Sequence, residues 1–205
     1  TAVANILAKT INGVKPIILN MPEYSNPSTI TRIIGVPPGY LGSDSNQELP
    51  FDILETNPYQ IILLDEFEKC DRSIQRLFMS VFDSGTLQTN AGKMLDFSKA
   101  IIIATTNAGC TNDAATVVGI GNKPSKNDIS NLEGSFDIEL INRFANKIRF
   151  NSIDKSTYRT IVAAKYHSMI MDVKSRIRRV QLPDDLDDVT LDEIVEKTYD
   201  PKFGA

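Results

Sequence analysis

The sharpest hydrophobic pattern in the chain is Gln60-Ile61-Ile62-Leu63-Leu64-Asp65-Glu66-Phe67-Glu68-Lys69. Four consecutive aliphatic residues, with Pro58 before them and charges after, predict a strand buried on both faces. Asp65 and Glu66 close it. Ligands of open α/β sheets bind beyond the carboxyl ends of the strands, which makes this pair a candidate site. The competing reading is the solvated first turn of a following helix. A second apolar run, Ala100 to Ala104, predicts another fully apolar strand, this one ending in Thr105-Thr106-Asn107. If the two strands are neighbours, their polar ends converge on one place. By itself, an Asn after a strand is only a turn former.

Around these two runs the period changes to that of helices. Val3, Ile6, Leu7 and Ile11 recur at helical spacing, with Gly13 as the stop. Pro16 to Met21 is a short apolar run, and Ser28 to Ile34 predicts a brief helix. Asp71 can cap a helix whose apolar stripe is Ile74, Leu77, Phe78, Val81 and Phe82, ending at Gly85. Asn90-Ala91-Gly92-Lys93 predicts the turn of a hairpin. A short helix over Phe136 to Phe144 and a strand near Lys147 to Phe150 come next. Asp154 then caps a long helix with Tyr158, Ile161, Val162, Tyr166, Met169, Val173 and Ile177 along one face. A strand-like Val180-Gln181-Leu182 and an acidic helix around Leu191 to Lys197 complete the pattern. The alternation predicts an α/β unit over residues 1–151, and a smaller, mainly helical unit over 152–205.

Two segments break the periodicity. Gly35-Val36-Pro37-Pro38-Gly39-Tyr40-Leu41-Gly42 is too rich in Gly and Pro to continue a helix or strand. Its tyrosine either folds back onto the core or is presented to a ligand by a mobile loop. Cys110 to Leu132 is polar and irregular apart from Val117-Val118-Gly119-Ile120-Gly121. A stretch of that length inside a compact domain is either functional or disordered.

Composition narrows the classes. The 205 residues suffice for one good core plus a small satellite, and 41% hydrophobic with 23% charged residues is ordinary for a globular protein. A net charge of −4 argues against a broad nucleic-acid surface, and Lys174 to Arg179 reads as the exposed face of a helix. No apolar run approaches membrane-spanning length. Two cysteines, Cys70 and Cys110, and one histidine, His167, are too few and too scattered for a zinc site, although the cysteines could pair. The chain opens at Thr1 already inside a helical pattern, and no signal peptide is visible.

Four motifs in fixed order carry a resemblance: Gly39-Tyr40-Leu41-Gly42, Leu63-Leu64-Asp65-Glu66-Phe67-Glu68-Lys69, Thr105-Thr106-Asn107-Ala108-Gly109 and Glu139-Leu140-Ile141-Asn142-Arg143. Together they resemble the C-terminal nucleotide-binding domain of the Clp family of AAA+ unfoldases, colinearly over nearly all of the chain. The resemblance implies a three-layer AAA+ fold, a parallel sheet with helices on both faces, followed by part of a helical lid. It also implies a phosphate-binding loop ending at Thr1, whose glycines, lysine and preceding central strand lie outside this sequence. The expectation is therefore an excerpt of a longer polypeptide, inactive by itself.

The roles implied by the resemblance fall on particular residues. Thr1 and Asp65 would hold Mg²⁺, and Glu66 would activate the water that attacks the γ-phosphate of ATP. Asn107 resembles the polar sensor of that phosphate. Arg143 resembles the arginine finger offered to the ATP of a neighbouring subunit, which implies a homo-oligomeric, hexameric ring. Gly39, Tyr40, Leu41 and Gly42 resemble the pore loop that grips unfolded protein, and a sequence-tolerant aromatic suits that task. The hairpin from Asp83 to Asp96 would be a second, lower pore loop. Val118, Gly119 and Ile120 stand where protease-feeding members carry the tripeptide that docks on a ClpP-like peptidase. The residues differ from the usual ones, but the apolar pattern is kept. The expected function is a cytoplasmic ATP-dependent unfoldase of ClpA type. A ClpB-type disaggregase and a non-catalytic scaffold are the alternatives.

Overall fold

Ile61, Ile62, Leu63 and Leu64 are all buried, at 2% exposure or less, and the rest of the first unit is arranged about them. The computed structural model describes residues 1–11, 13–43, 48–108, 135–151, 153–177 and 182–200. It divides into two compact units, Thr1–Ala145 and Asn146–Ala205.

In the first unit, strands β1 (Ile17–Asn20), β2 (Ile61–Asp65) and β5 (Ile101–Ala104) form a parallel sheet in the order β1-β2-β5. Alternation along β2 sends successive side chains to opposite faces. Ile61 and Leu63 pack with Ala4 and Ala8 of helix α1 (Ala2–Ile11). Ile62 and Leu64 join the larger cluster that includes Ile74, Phe78 and Val81 of helix α3 (Arg72–Ser84). The result is helix, sheet, helix. Burial of such side chains is worth about 1.5–3 kcal/mol each, so β2 is the main anchor of both layers.

Helix α3 starts where Asp71 accepts the Ser73 N–H and ends at Gly85, whose φ of 69° suits a residue without Cβ. Leu77 and Phe82 of the expected stripe are half-buried, and Phe78 meets Phe51 and Phe67 edge-on at 6.2 and 5.8 Å. The expected brief helix is a 3-10 turn, Pro27–Ile30, running into helix α2 (Thr31–Ile34). Strands β3 (Thr86–Gln88) and β4 (Met94–Asp96) form the expected antiparallel hairpin. Helix α4 covers Ile138–Arg143.

Several expectations need correction. On α1 it is Ala4 and Ala8 that are buried, with Leu7 half-buried against the same cluster, while Val3, Ile6 and Ile11 are exposed. The β5 run is half-buried rather than buried on both faces: among the described residues it pairs with β2 alone, and Ile101 is exposed. Lys147 to Phe150 form no strand. A strand exists only as a member of a pair, and here Ile148 and Phe150 stay exposed. Cys70 is a free, buried thiol, pushed up to about 12 chiefly by burial. Cys110 lies outside the described residues, as do Val118, Gly119, Ile120 and the strand-like Val180-Gln181.

The second unit contains helices α5 (Lys155–Arg176) and α6 (Asp188–Thr198), each capped by an aspartate, Asp154 on Thr157 N–H and Asp187 on Thr190 N–H. Ile170, not Met169, is the buried residue of α5, and it is matched by Leu191 and Val195 on α6. Arg159 bridges to Asp188 at 2.5 Å and Asp192 at 2.6 Å, and the rings of Tyr158 and Tyr199 meet at a tilt with centroids 5.4 Å apart. Of the basic run, Lys174 pairs with Asp184 and Arg176 with Asp172. Among the described residues no helix is long and apolar enough to cross a membrane.

Candidate nucleotide site

Strand register builds the site. Leu64 of β2 lies opposite Ala104 of β5, so the next residues, Asp65 and Thr105, emerge side by side at the carboxyl end of the sheet. Thr105 then ties down four consecutive residues. Its N–H donates to the Leu64 carbonyl at 3.0 Å, and its carbonyl accepts the Phe67 N–H at 2.9 Å. Its hydroxyl donates to Asp65 Oδ1 at 2.5 Å and accepts the Glu66 N–H at 3.1 Å. On the other side, the Thr1 hydroxyl donates to Asp65 Oδ2 at 2.7 Å. Both oxygens of one carboxylate are thus fixed by threonine hydroxyls.

Electrostatics follow from these bonds. Partial burial pushes Asp65 up, but the hydrogen bonds from Thr105 and Thr1 outweigh it and hold the carboxyl below its ordinary value. Asp65 is therefore an anion throughout the neutral range.

Glu66 has φ 55° and ψ 52°, the left-handed region, and is the one non-glycine residue with positive φ among those described. That conformation costs about 1 kcal/mol for a residue with a Cβ and persists only where the surroundings impose it. Here the imposition is visible. Phe67, fully buried, packs against Phe78 and Phe136, and its N–H is held by Thr105. Lys69 N–H closes a turn onto the Glu66 carbonyl at 2.9 Å. The strand enters and the buried phenylalanine leaves in fixed directions, and the backbone of Glu66 absorbs the difference. The pair is therefore not the first turn of a regular helix; α3 begins only at Arg72.

The other predicted residues are placed as follows. Asn107 is exposed just past β5, and its N–H donates to Glu68 Oε1 at 3.2 Å. Arg143 is not drawn to the acidic pair: it bridges to Asp83 at 2.8 Å, with Glu139 at 3.6 Å. Tyr40 and Leu41 are exposed at 69% and 104%, between Gly39 and Gly42 at φ 88° and 94°. The tyrosine does not fold back onto the core. The expected convergence of the two strand ends is realised, but through Thr105, a residue of the third motif to which the resemblance gave no role of its own.

Among the described residues no cluster of three or more His, Cys, Asp and Glu side chains could hold a metal unaided. One carboxylate with one hydroxyl suits a hard, hydrated cation that takes its other oxygens from phosphate and water.

Compared with known families, the chain matches the AAA domain (Cdc48 subfamily) over residues 1–147. The chain belongs to that family, as an AAA+ domain. Among curated proteins it is 34% identical to the "ATP-dependent Clp protease ATP-binding subunit ClpE" of Streptococcus pneumoniae, over 91% of this chain and 24% of that protein. It is 32% identical to the "Chaperone protein ClpB" of Prochlorococcus marinus, over 91% of this chain and 21% of that one. It is also 32% identical to the "ATP-dependent Clp protease ATP-binding subunit ClpL" of Staphylococcus aureus, over 100% of this chain and 28% of that one. The chain thus spans about a quarter of the length of these relatives. A solved structure of Hsp104 with ATPγS and FITC casein has the same fold, with a TM-score of 0.75 at 22% identity, over 100% of this chain and 35% of that one.

Proposed function

We propose that the chain is the ATP-hydrolysing unit of a ring-forming protein unfoldase, which threads polypeptide through a central pore. The observation that carries this reading is the convergence of the Thr1 and Thr105 hydroxyls on Asp65, with Glu66 held beside it in a strained backbone. Strain of this kind collects where a side chain must be aimed rather than packed.

Asp65 and Thr1 would hold Mg²⁺, which neutralises phosphate charge when bound. Glu66 takes the proton of the attacking water as general base, and its fixed backbone limits where that carboxylate can swing. Asn107 hydrogen-bonds the γ-phosphate or that water. Arg143, at the end of α4, reaches the ATP of the neighbouring subunit and leaves Asp83 to do so. A heterologous interface of that type closes into a ring, for which we propose six subunits assembled in the cytoplasm.

The exposed Tyr40 between two left-handed glycines is the polypeptide grip: a large, amphipathic contact that favours no particular sequence. The relative solved with casein supports a polypeptide as the substrate class. Relatives named as Clp protease subunits support a peptidase partner docking at Val118-Gly119-Ile120, whereas the relative named as a chaperone supports a disaggregase. Substituting those three residues separates the two, since only the first reading predicts loss of peptidase-coupled degradation. The function as a whole is tested with Tyr40→Ala in the full-length protein. ATP turnover should persist while unfolding of a folded substrate stalls; unchanged unfolding removes the pore assignment.

A further inference from the structure

The segment that carries Tyr40 leaves the folded body at Gly35 and has returned to it by Leu49. A Cβ built on Gly35 would lie 3.5 Å from Leu49 Cδ1, so the two roots are adjacent. Both are held by one turn, Thr89 to Lys93, at the tip of the β3–β4 hairpin. On the first root, Asn90 donates its backbone N–H to the Ile34 carbonyl at 2.7 Å and its side-chain Nδ2 to the Gly35 carbonyl at 2.6 Å. On the second root, Lys93 Nζ lies 2.7 Å from Asp52 Oδ1 and 2.9 Å from Glu55 Oε2. The other oxygen of Asp52 accepts the Leu49 N–H at 2.8 Å. Burial pushes Asp52 up, but the bonds from Lys93 and Leu49 prevail and hold its carboxyl below the ordinary value.

An asparagine in a tight turn ordinarily bonds its own backbone two residues on. Asn90 instead reaches across 55 positions in sequence to the first root. The turn is also stiff. Thr89 is 4% exposed, its N–H donates to the Lys93 carbonyl at 2.8 Å, and its hydroxyl accepts the Lys93 N–H at 3.1 Å. The hairpin follows α3 directly, and the Phe97 N–H locks it to the Gly85 carbonyl at 2.7 Å. Leu87, Leu95 and Phe97 are buried in the same core as α3.

We infer that Asn90 and Lys93 are positioning residues for the Tyr40 loop: the hairpin turn clamps both roots, so displacement of α3 is passed to the loop. The hairpin is then an anchor for the first loop, rather than an independent second grip on substrate. This inference rests on the reading of Tyr40 as the polypeptide grip, but its first consequence, the loop's fixation, does not.

The test uses the full-length protein carrying Asn90→Ala, Asn90→Asp or Lys93→Met. Hydrogen exchange is read over residues 36–43, alongside ATP turnover and the rate of substrate unfolding per ATP. Asn90→Asp keeps the size of the side chain but turns an oxygen toward the Gly35 carbonyl. Both Asn90 variants should speed loop exchange about tenfold, the effect of losing one hydrogen bond. ATP turnover should stay within about twofold of wild type, while unfolding per ATP falls several-fold. Unchanged loop exchange in both Asn90 variants overturns the clamp. So does faster exchange with normal unfolding per ATP, provided Tyr40→Ala stalls unfolding. If Tyr40→Ala unfolds substrate normally, the grip reading fails instead, and loop exchange alone decides the clamp.

Discussion

The Thr105 hydroxyl donates to the Asp65 carboxylate at 2.5 Å and at the same atom accepts the Glu66 N–H at 3.1 Å. One oxygen thereby fixes the residue assigned to the cation and the residue assigned to water. Thr105→Val keeps the shape and deletes both bonds, leaving a part-buried carboxylate oxygen and an N–H without that partner. Such a loss costs about 1–3 kcal/mol. Steady-state ATP turnover should fall roughly tenfold or more by the same figure, whereas Thr105→Ser should stay near wild type. Equal turnover in the two variants would show that the hydroxyl is not needed.

The backbone of Glu66 makes a separate claim. Glu66→Ala and Glu66→Gly both remove the carboxylate, and both should abolish turnover. Their stabilities should differ in the unusual direction, with Gly more stable than Ala by about 1 kcal/mol, because only glycine adopts φ 55° without strain. Thermal unfolding of the two variants measures the difference; Ala equal to or above Gly would mean that the turn relaxes.

Acid should undo the Asp65 arrangement. Its folded pKa is depressed, so the stabilisation is fully present above the unfolded carboxylate value of about 3.9 and is lost as pH falls through the lower, folded value. In urea unfolding, wild type should exceed Asp65→Asn at neutral pH, and the gap should close only below about pH 4. A gap that closed above that value would mean that the hydroxyls do not favour the ionised form.

Strand β2 and helix α3 were legible because their patterns are strong and their ends are marked, by Asp65 at the first and by Asp71 and Gly85 at the second. The acidic pair was legible for the same reason. Helix α1 was legible as a helix but not in its packing, since pattern reading weights large aliphatics and the buried residues are Ala4 and Ala8. Whether an apolar run becomes a buried strand, a half-buried one or nothing depends on neighbours remote in sequence, which decided β5 and residues 147–150. The meeting of Thr105 with the acidic pair was legible on the condition that the two strands were neighbours, but its individual bonds depend on the exact register between them. The left-handed backbone of Glu66 has no local signature, as glutamate is an uncommon choice there.

The most direct test of the central claim is ATP binding and turnover by the full-length protein carrying Glu66→Gln, with Mg²⁺ present. Binding should match wild type, while turnover should fall by roughly two to four orders of magnitude, the usual worth of a general base. Turnover at the wild-type rate would contradict the assignment of hydrolysis to this site.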